Sequence, residues 1–185
     1  QGVAVGERGR LQAEVSFSRC RSIFSAIPSG SYATRVALTV ASDLDEIVET
    51  IRMVCPDVIH LSGDIHRMSL RKMADLRTAA HNTKIMQAIP VTDETSIALA
   101  LAYQQVSDYI ILDTDVDSLT GIGATGSCHD WSVSRKIVRA VNVPIILAGG
   151  LSSLNVRDAI STVRPWCVDS FTPVSYTNLR ANETL

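Results

Sequence analysis

The run Tyr109-Ile110-Ile111-Leu112 ends at Asp113, is followed by Gly123-Ala124-Thr125-Gly126 and Asp130-Trp131, and leads on to Ile145-Ile146-Leu147-Ala148-Gly149-Gly150-Leu151. Short apolar runs without polar alternation read as strands covered on both faces, which is the habit of parallel sheets. Here one such strand ends in a carboxylate, a glycine loop follows, and the next strand ends in two glycines. That arrangement describes the active face of a parallel α/β barrel taking a phosphorylated small molecule, because glycine backbone at a strand end offers N–H groups to an anion.

Working outward, further apolar runs at residues 3–5, 36–40, 58–61, 85–89 and 168–171 bring the strand count to seven, with six amphipathic segments between them. Ser42, with Asp45 three residues on, is placed to cap a helix whose stripe is Leu44, Ile47, Val48 and Ile51. Thr92 with Asp93 and Glu94 opens another, carrying Ile97, Leu101 and Val106; Ser152 or Ser153 opens a third, carrying Val156, Ala159, Ile160 and Val163. Alternation of this kind implies parallel strands joined by right-handed crossovers. The expected fold is α/β, an incomplete (β/α)8 TIM barrel lacking the first strand and helix, with residues 1–173 as one domain and residues 174–185 as a tail outside it. A closed barrel typically takes about 250 residues and seldom fewer than about 200, so a chain of 185 residues that begins with Gln1 reads as N-terminally truncated. An open doubly wound sheet would accept the same element count, but it calls for G-x-G-x-x-G after its first strand, which Gly6-Glu7-Arg8-Gly9 does not supply.

Composition narrows the class of partner. Hydrophobic residues make up 46% and charged residues 19%, with a formal charge of -2. Without a basic surplus, neither nucleic acid nor an anionic membrane is the expected partner; a small phosphorylated substrate is. Cys20, Cys55, Cys128 and Cys167 are far apart and form no C-x-x-C, nor any metal-ligand spacing with His60, His66, His81 or His129. We read them as reduced thiols of a cytoplasmic protein that needs no metal and no cofactor. No apolar run is long enough to cross a bilayer, and the N-terminal residues lack the basic-then-apolar order of a signal peptide.

From residue 36 to residue 169 the chain resembles the phosphoribosylanthranilate isomerase family of tryptophan biosynthesis, especially the branch in which His-Asp-Trp-Ser follows the glycine loop. The motifs that carry the resemblance are Asp108-Tyr109-Ile110-Ile111-Leu112-Asp113-Thr114, Gly123-Ala124-Thr125-Gly126 with His129-Asp130-Trp131-Ser132, Ala148-Gly149-Gly150-Leu151 with Asn155-Val156, and Val163-Arg164-Pro165 with Val168-Asp169. Each alone is weak; their order and spacing together are specific.

The resemblance implies an Amadori rearrangement of an aminoaldose 5-phosphate to an aminoketose. An acid must protonate the ring oxygen and a base must take the proton from C2. Asp113 matches the family's acid, with a simple turn-capping carboxylate as the alternative use. Gly149 and Gly150, with Gly126, match the phosphate-binding backbone, and Asp169 matches a residue that meets the sugar hydroxyls. Two departures stand out. The family's base is a cysteine in a Lys-Ile-Cys-Gly type strand, which this sequence lacks, and Cys128 alone among its thiols falls in an active-face loop. Ser170 follows Asp169 where the family has a Ser-Gly-Val type loop, here without the glycine. The resemblance also implies an arginine that binds the anthranilate carboxylate in the loop after the second family strand; Arg8 and Arg10 lie there and read as solvated loop arginines, with the carboxylate role as the alternative. His60 and Ser62 replace the Gln and His of a Gln-Leu-His-Gly stretch.

Two other functions compete. A ribulose-phosphate epimerase-like barrel would need paired His and Asp metal ligands on successive strands, of which only His60 is in place. A non-catalytic relative would keep the phosphate loop and dispense with the base.

Overall fold

The structure, a computed structural model, describes residues 2–11, 13–28, 30–114 and 129–170. These fall into two compact units, the first made of residues 1–88 and 105–108 and the second of residues 89–104 and 109–185. In the first, β1 (Gly2–Ala4), β2 (Val36–Thr39), β3 (Val58–Leu61) and the opening of β4 (Lys84–Val91) alternate with α1 (Phe17–Ser25), α2 (Leu44–Val54) and α3 (Leu70–Ala79). In the second, the end of β4 leads to α4 (Thr95–Tyr103), β5 (Tyr109–Thr114), α5 (Trp131–Ala140), β6 (Ile145–Leu147), α6 (Val156–Val163) and β7 (Cys167–Val168). Strand order follows chain order, β1-β2-β3-β4 in the first unit and β5-β6-β7 in the second. The described pairings are parallel, with Gly2 opposite Val36, Val36 opposite Val58, Val58 opposite Lys84, Ile110 opposite Ile145 and Ile146 opposite Cys167. The seven strands expected from sequence are all present, with ends shifted by a few residues.

Burial explains why these runs were legible. All four residues of β3 are buried, so neither face of the strand leaves a polar position for alternation to reveal. In the first unit Ile47, Ile59, Met73, Leu76 and Ile85 are sealed from solvent; in the second, Ile110, Leu112, Ile137, Leu147 and Ala159 are.

The helix starts differ from expectation in instructive ways. Asp43, not Ser42, caps α2, accepting from the Glu46 N–H at 3.2 Å, because the capping residue must be extended immediately before the first helical residue. On α4 the buried face is Ser96, Ala100 and Tyr103, while Leu101 is exposed and Ile97 half-buried. That helix is apolar nearly all round, so periodicity does not choose a face. Its start is held by Asp93, whose Oδ1 accepts from the Thr95 N–H at 2.8 Å, and by Ser96 Oγ, which accepts from the Thr92 N–H at 3.2 Å. In α6, Ala159 and Val163 are buried but Ile160 is exposed.

Asp108 anchors the edge of the first unit from its separate segment. It accepts the Ile85 N–H at 2.9 Å and both arms of Arg77 at 2.8 and 3.0 Å. Ile85 is wholly buried, so Asp108→Ala would leave its N–H without this partner, at a cost of about 1–3 kcal/mol. Urea unfolding should show this loss; a change below ~0.5 kcal/mol, the ordinary surface-substitution range, would mean that water replaces the carboxylate.

Candidate active site

Three neighbouring strands of the second unit end together. Ala148 N–H donates to Leu112 O and Asp169 N–H donates to Leu147 O, both at 2.8 Å, so the ladder continues to the last residues of β5, β6 and β7. Asp113, Gly149 and Asp169 consequently share the C-terminal end of this sheet, as the sequence reading expects of an active face.

Asp113 is half-buried, and its Oδ1 accepts the Thr114 N–H at 2.8 Å. Burial pushes its pKa up to about 6, the charge of Asp169 pushes the same way, and the Thr114 N–H works against both. A carboxyl titrating there can hold a proton and release it near neutrality. Asp169 has an open surface, yet protein atoms crowd its carboxyl enough for burial to raise its pKa as well.

Gly149 and Gly150 have φ of 81° and 66°, the left-handed region that favours glycine. At Gly149 there is a second constraint. A Cβ there would stand 2.7 Å from Thr114 N and 2.9 Å from Asp113 Oδ1, and would press on Thr114 Oγ1. Gly149 therefore makes room for Asp113 and Thr114, a use distinct from the anion binding expected of it. Gly150 begins a turn tied by one amide: Asn155 Nδ2 donates to Gly150 O at 2.9 Å, and Asn155 Oδ1 accepts from the Ser152 N–H at 2.8 Å. Ser170 Oγ donates to Leu151 O at 2.7 Å and closes the same turn from the β7 side. Asn155 is the N-cap residue of α6, but its side chain serves the turn instead of the helix.

The His-Asp-Trp-Ser motif resolves into separate tasks. Asp130 caps α5, accepting the Ser132 N–H at 2.8 Å and the Ser132 hydroxyl at 2.9 Å. His129 shares hydrogen bonds with Thr114 Oγ1 through Nδ1, at 3.3 Å, and with Ser134 Oγ through Nε2, at 2.6 Å. Burial drives its pKa down to about 4 against the pull of Asp130, so the ring is neutral at pH 7. The sequence reading gave His129, Ser134 and Asn155 no task of their own. For the first two, the available signal was a buried-face serine one and a half turns beyond a histidine at a helix start. Gly126 and Cys128 lie outside the described residues.

In the first unit, His60 is 8% exposed, has its pKa lowered to about 4 by burial, and finds no partner for Nε2 among the described residues. Ser62 is buried beyond it. The loop after β1 folds around Glu14, whose carboxylate accepts the N–H groups of Arg8 at 3.0 Å, Gly9 at 2.7 Å and Arg10 at 3.1 Å. The side chains of Arg8 and Arg10 both reach Glu46, at 3.5 and 3.0 Å, so neither is simply solvated. Among the described residues, no three His, Cys, Asp or Glu side chains stand together as metal ligands. No described helix is long and apolar enough to cross a membrane.

The N-(5'phosphoribosyl)anthranilate (PRA) isomerase family model matches residues 7–173. N-(5'-phosphoribosyl)anthranilate isomerase of Haloferax volcanii is 38% identical over 156 residues, 84% of this chain and 65% of that protein, so the chain spans just under two thirds of this relative's length. Phosphoribosyl anthranilate isomerase from Thermotoga maritima superposes with a TM-score of 0.70 at 25% identity, over 91% of this chain and 74% of that one. Another such isomerase, solved in complex with reduced 1-(o-carboxyphenylamino)-1-deoxyribulose 5-phosphate, gives 0.69 at 24% identity, over 94% and 75%, and speaks to the fold alone. These likenesses select the TIM-barrel fold over the open doubly wound sheet.

Proposed function

The chain belongs to the N-(5'-phosphoribosyl)anthranilate isomerase family, and on that premise we propose that it carries the acid and phosphate side of an aldose–ketose isomerase site acting in tryptophan biosynthesis. The observation that carries this reading is the Asp113 carboxyl, with its pKa raised to about 6, at a strand end against the left-handed Gly149. The substrate is phosphoribosylanthranilate, and residues 1–173 act as one barrel-like domain in the cytoplasm. Asp113 donates its proton to the ring oxygen as the ring opens. Asp169, just past the end of β7 and one strand removed from β5, holds sugar hydroxyls, and its negative charge helps keep Asp113 protonated until the substrate arrives. The phosphate meets the backbone around Gly150, where two successive left-handed glycines put no side chain between the chain and an anion. The ligand named with the related crystal structure carries a 5-phosphate, the group this reading assigns to the backbone around Gly150.

The base is a separate matter. The sequence contains no Lys-Ile-Cys-Gly strand, so removal of the C2 proton is assigned to no residue of these 185, and the chain by itself should bind better than it turns over.

Binding is therefore the first test. Reduced 1-(o-carboxyphenylamino)-1-deoxyribulose 5-phosphate should raise the melting temperature of this chain, and Gly150→Val should remove the increase measured against the variant's own baseline, because a branched side chain intrudes where the anion meets the backbone. Protection that survives in Gly150→Val would put the phosphate elsewhere. A chain that neither binds this ligand nor isomerises phosphoribosylanthranilate would overturn the reading as a whole.

A further inference from the structure

The bond that most directly tunes Asp113 is also the one least able to maintain itself. Thr114 N–H donates to the side chain of the residue just before it, which closes a small ring and persists only while the intervening peptide plane and the Asp113 rotamer are both held. On one side Thr114 abuts Gly149, where the missing Cβ leaves just enough room for its N–H and hydroxyl. On the other, its Oγ1 meets His129 Nδ1 at 3.3 Å, and His129 Nε2 is held at 2.6 Å by Ser134 Oγ. Ser134 is fully buried on α5, so the far end of this chain of contacts is fixed to a packed helix instead of a mobile surface.

We propose that His129 is the positioning residue for Asp113: anchored by Ser134, it holds Thr114 so that the Thr114 N–H stays committed to Asp113 Oδ1 and fixes the carboxyl's orientation. This rests on the reading of Asp113 as the acid, but the physical coupling can be measured without any reaction. A neutral imidazole suits the task. With one nitrogen donating and the other accepting, it bridges two hydroxyls without adding a charge that would draw the proton off Asp113.

The inference predicts a shift in a titration. Carbon-13 NMR of the aspartate-labelled chain, with Asp113→Asn to assign the resonance, should place Asp113 near pH 6. In His129→Phe, which keeps a ring but no hydrogen bond, the Thr114 N–H loses its hold and the value should rise by about half a unit or more, since a bond favouring the carboxylate is gone. Ser134→Ala should move it the same way by less, while Thr114→Ser, which keeps the hydroxyl, should leave it unchanged. An Asp113 titration unmoved in both His129→Phe and Ser134→Ala would overturn the proposal. If the phenylalanine variant does not fold, Ser134→Ala decides alone. A shift seen in a chain that is not protected by reduced 1-(o-carboxyphenylamino)-1-deoxyribulose 5-phosphate sinks the proposed function and leaves the positioning role standing; protection without the shift does the reverse.

Discussion

Asp113→Asn should lose at least ~100-fold in turnover, the usual scale of a positioned proton transfer, and yet be the more stable protein at pH 7. Both effects come from one displaced pKa. The folded value is about 6 against an ordinary 3.8, so the fold binds this proton more tightly than the unfolded chain does. The protonated group's favourable contribution is complete below about 3.8, fades as pH rises through about 6, and is absent above it. At pH 7 the native state therefore carries a carboxylate in a poor setting, at a cost on the order of 1–3 kcal/mol, and a neutral amide relieves much of it. Thermal unfolding of the wild type and variant at pH 7 and pH 4 checks the sign: the gain should be clear at 7 and shrink at 4. Turnover is read in the chain joined to a relative's cysteine-bearing strand. There kcat/KM should fall about tenfold per unit above pH 6 if the acid form is required, and the variant should lack that limb. A variant with normal turnover and an intact circular dichroism spectrum would remove Asp113 from the mechanism.

Gly149→Ala is the second large effect. At φ of 81° an alanine is strained by about 1 kcal/mol. Its Cβ would also stand 2.7 Å from Thr114 N and 2.9 Å from Asp113 Oδ1, and overpacking of this kind costs about 1–3 kcal/mol more. The backbone at the end of β5 must give way and take Asp113 with it; a displacement near 1 Å of a group placed for catalysis can cost on the order of 100-fold in rate. Stability and turnover should thus fall together, in contrast to the opposite signs expected at Asp113. Adding Thr114→Ala should recover part of the stability, because the closest atom pressed by the new Cβ is the Thr114 hydroxyl, while turnover stays low. A single variant that melts like the wild type would show that the strand ends have more slack than the geometry allows.

The middle of the fold was readable because strands such as β3 and β6 are buried throughout: runs such as Val58-Ile59-His60-Leu61 contain no alternation to confuse with a surface strand. Helix faces were less so. In α4 the sequence Thr-Ser-Ile-Ala-Leu-Ala-Leu-Ala-Tyr is apolar on every side, and packing alone decided that Ser96 and Ala100 go in while Leu101 stays out. At the site, Asp113 and the two glycines stood out by their place at strand ends, a one-dimensional cue. The contact of Gly149 with Thr114, and the reach of His129 to Ser134 and back to Thr114, join residues 15 to 35 positions apart or rely on a helix phase. Such relations exist only once the strands are paired, so no local pattern announces them.

The loop after β1 offers a different lesson about how such a protein can change. Its shape is set by the Glu14 carboxylate gripping three successive backbone amides, and amides are common to every residue type except proline. Positions 8 and 10 can therefore exchange side chains without rewriting the loop's path, provided residue 14 remains an acid long enough to reach. Architecture and recognition are encoded in separate letters there, so selection can retune what the loop meets while the scaffold that presents it is inherited unaltered.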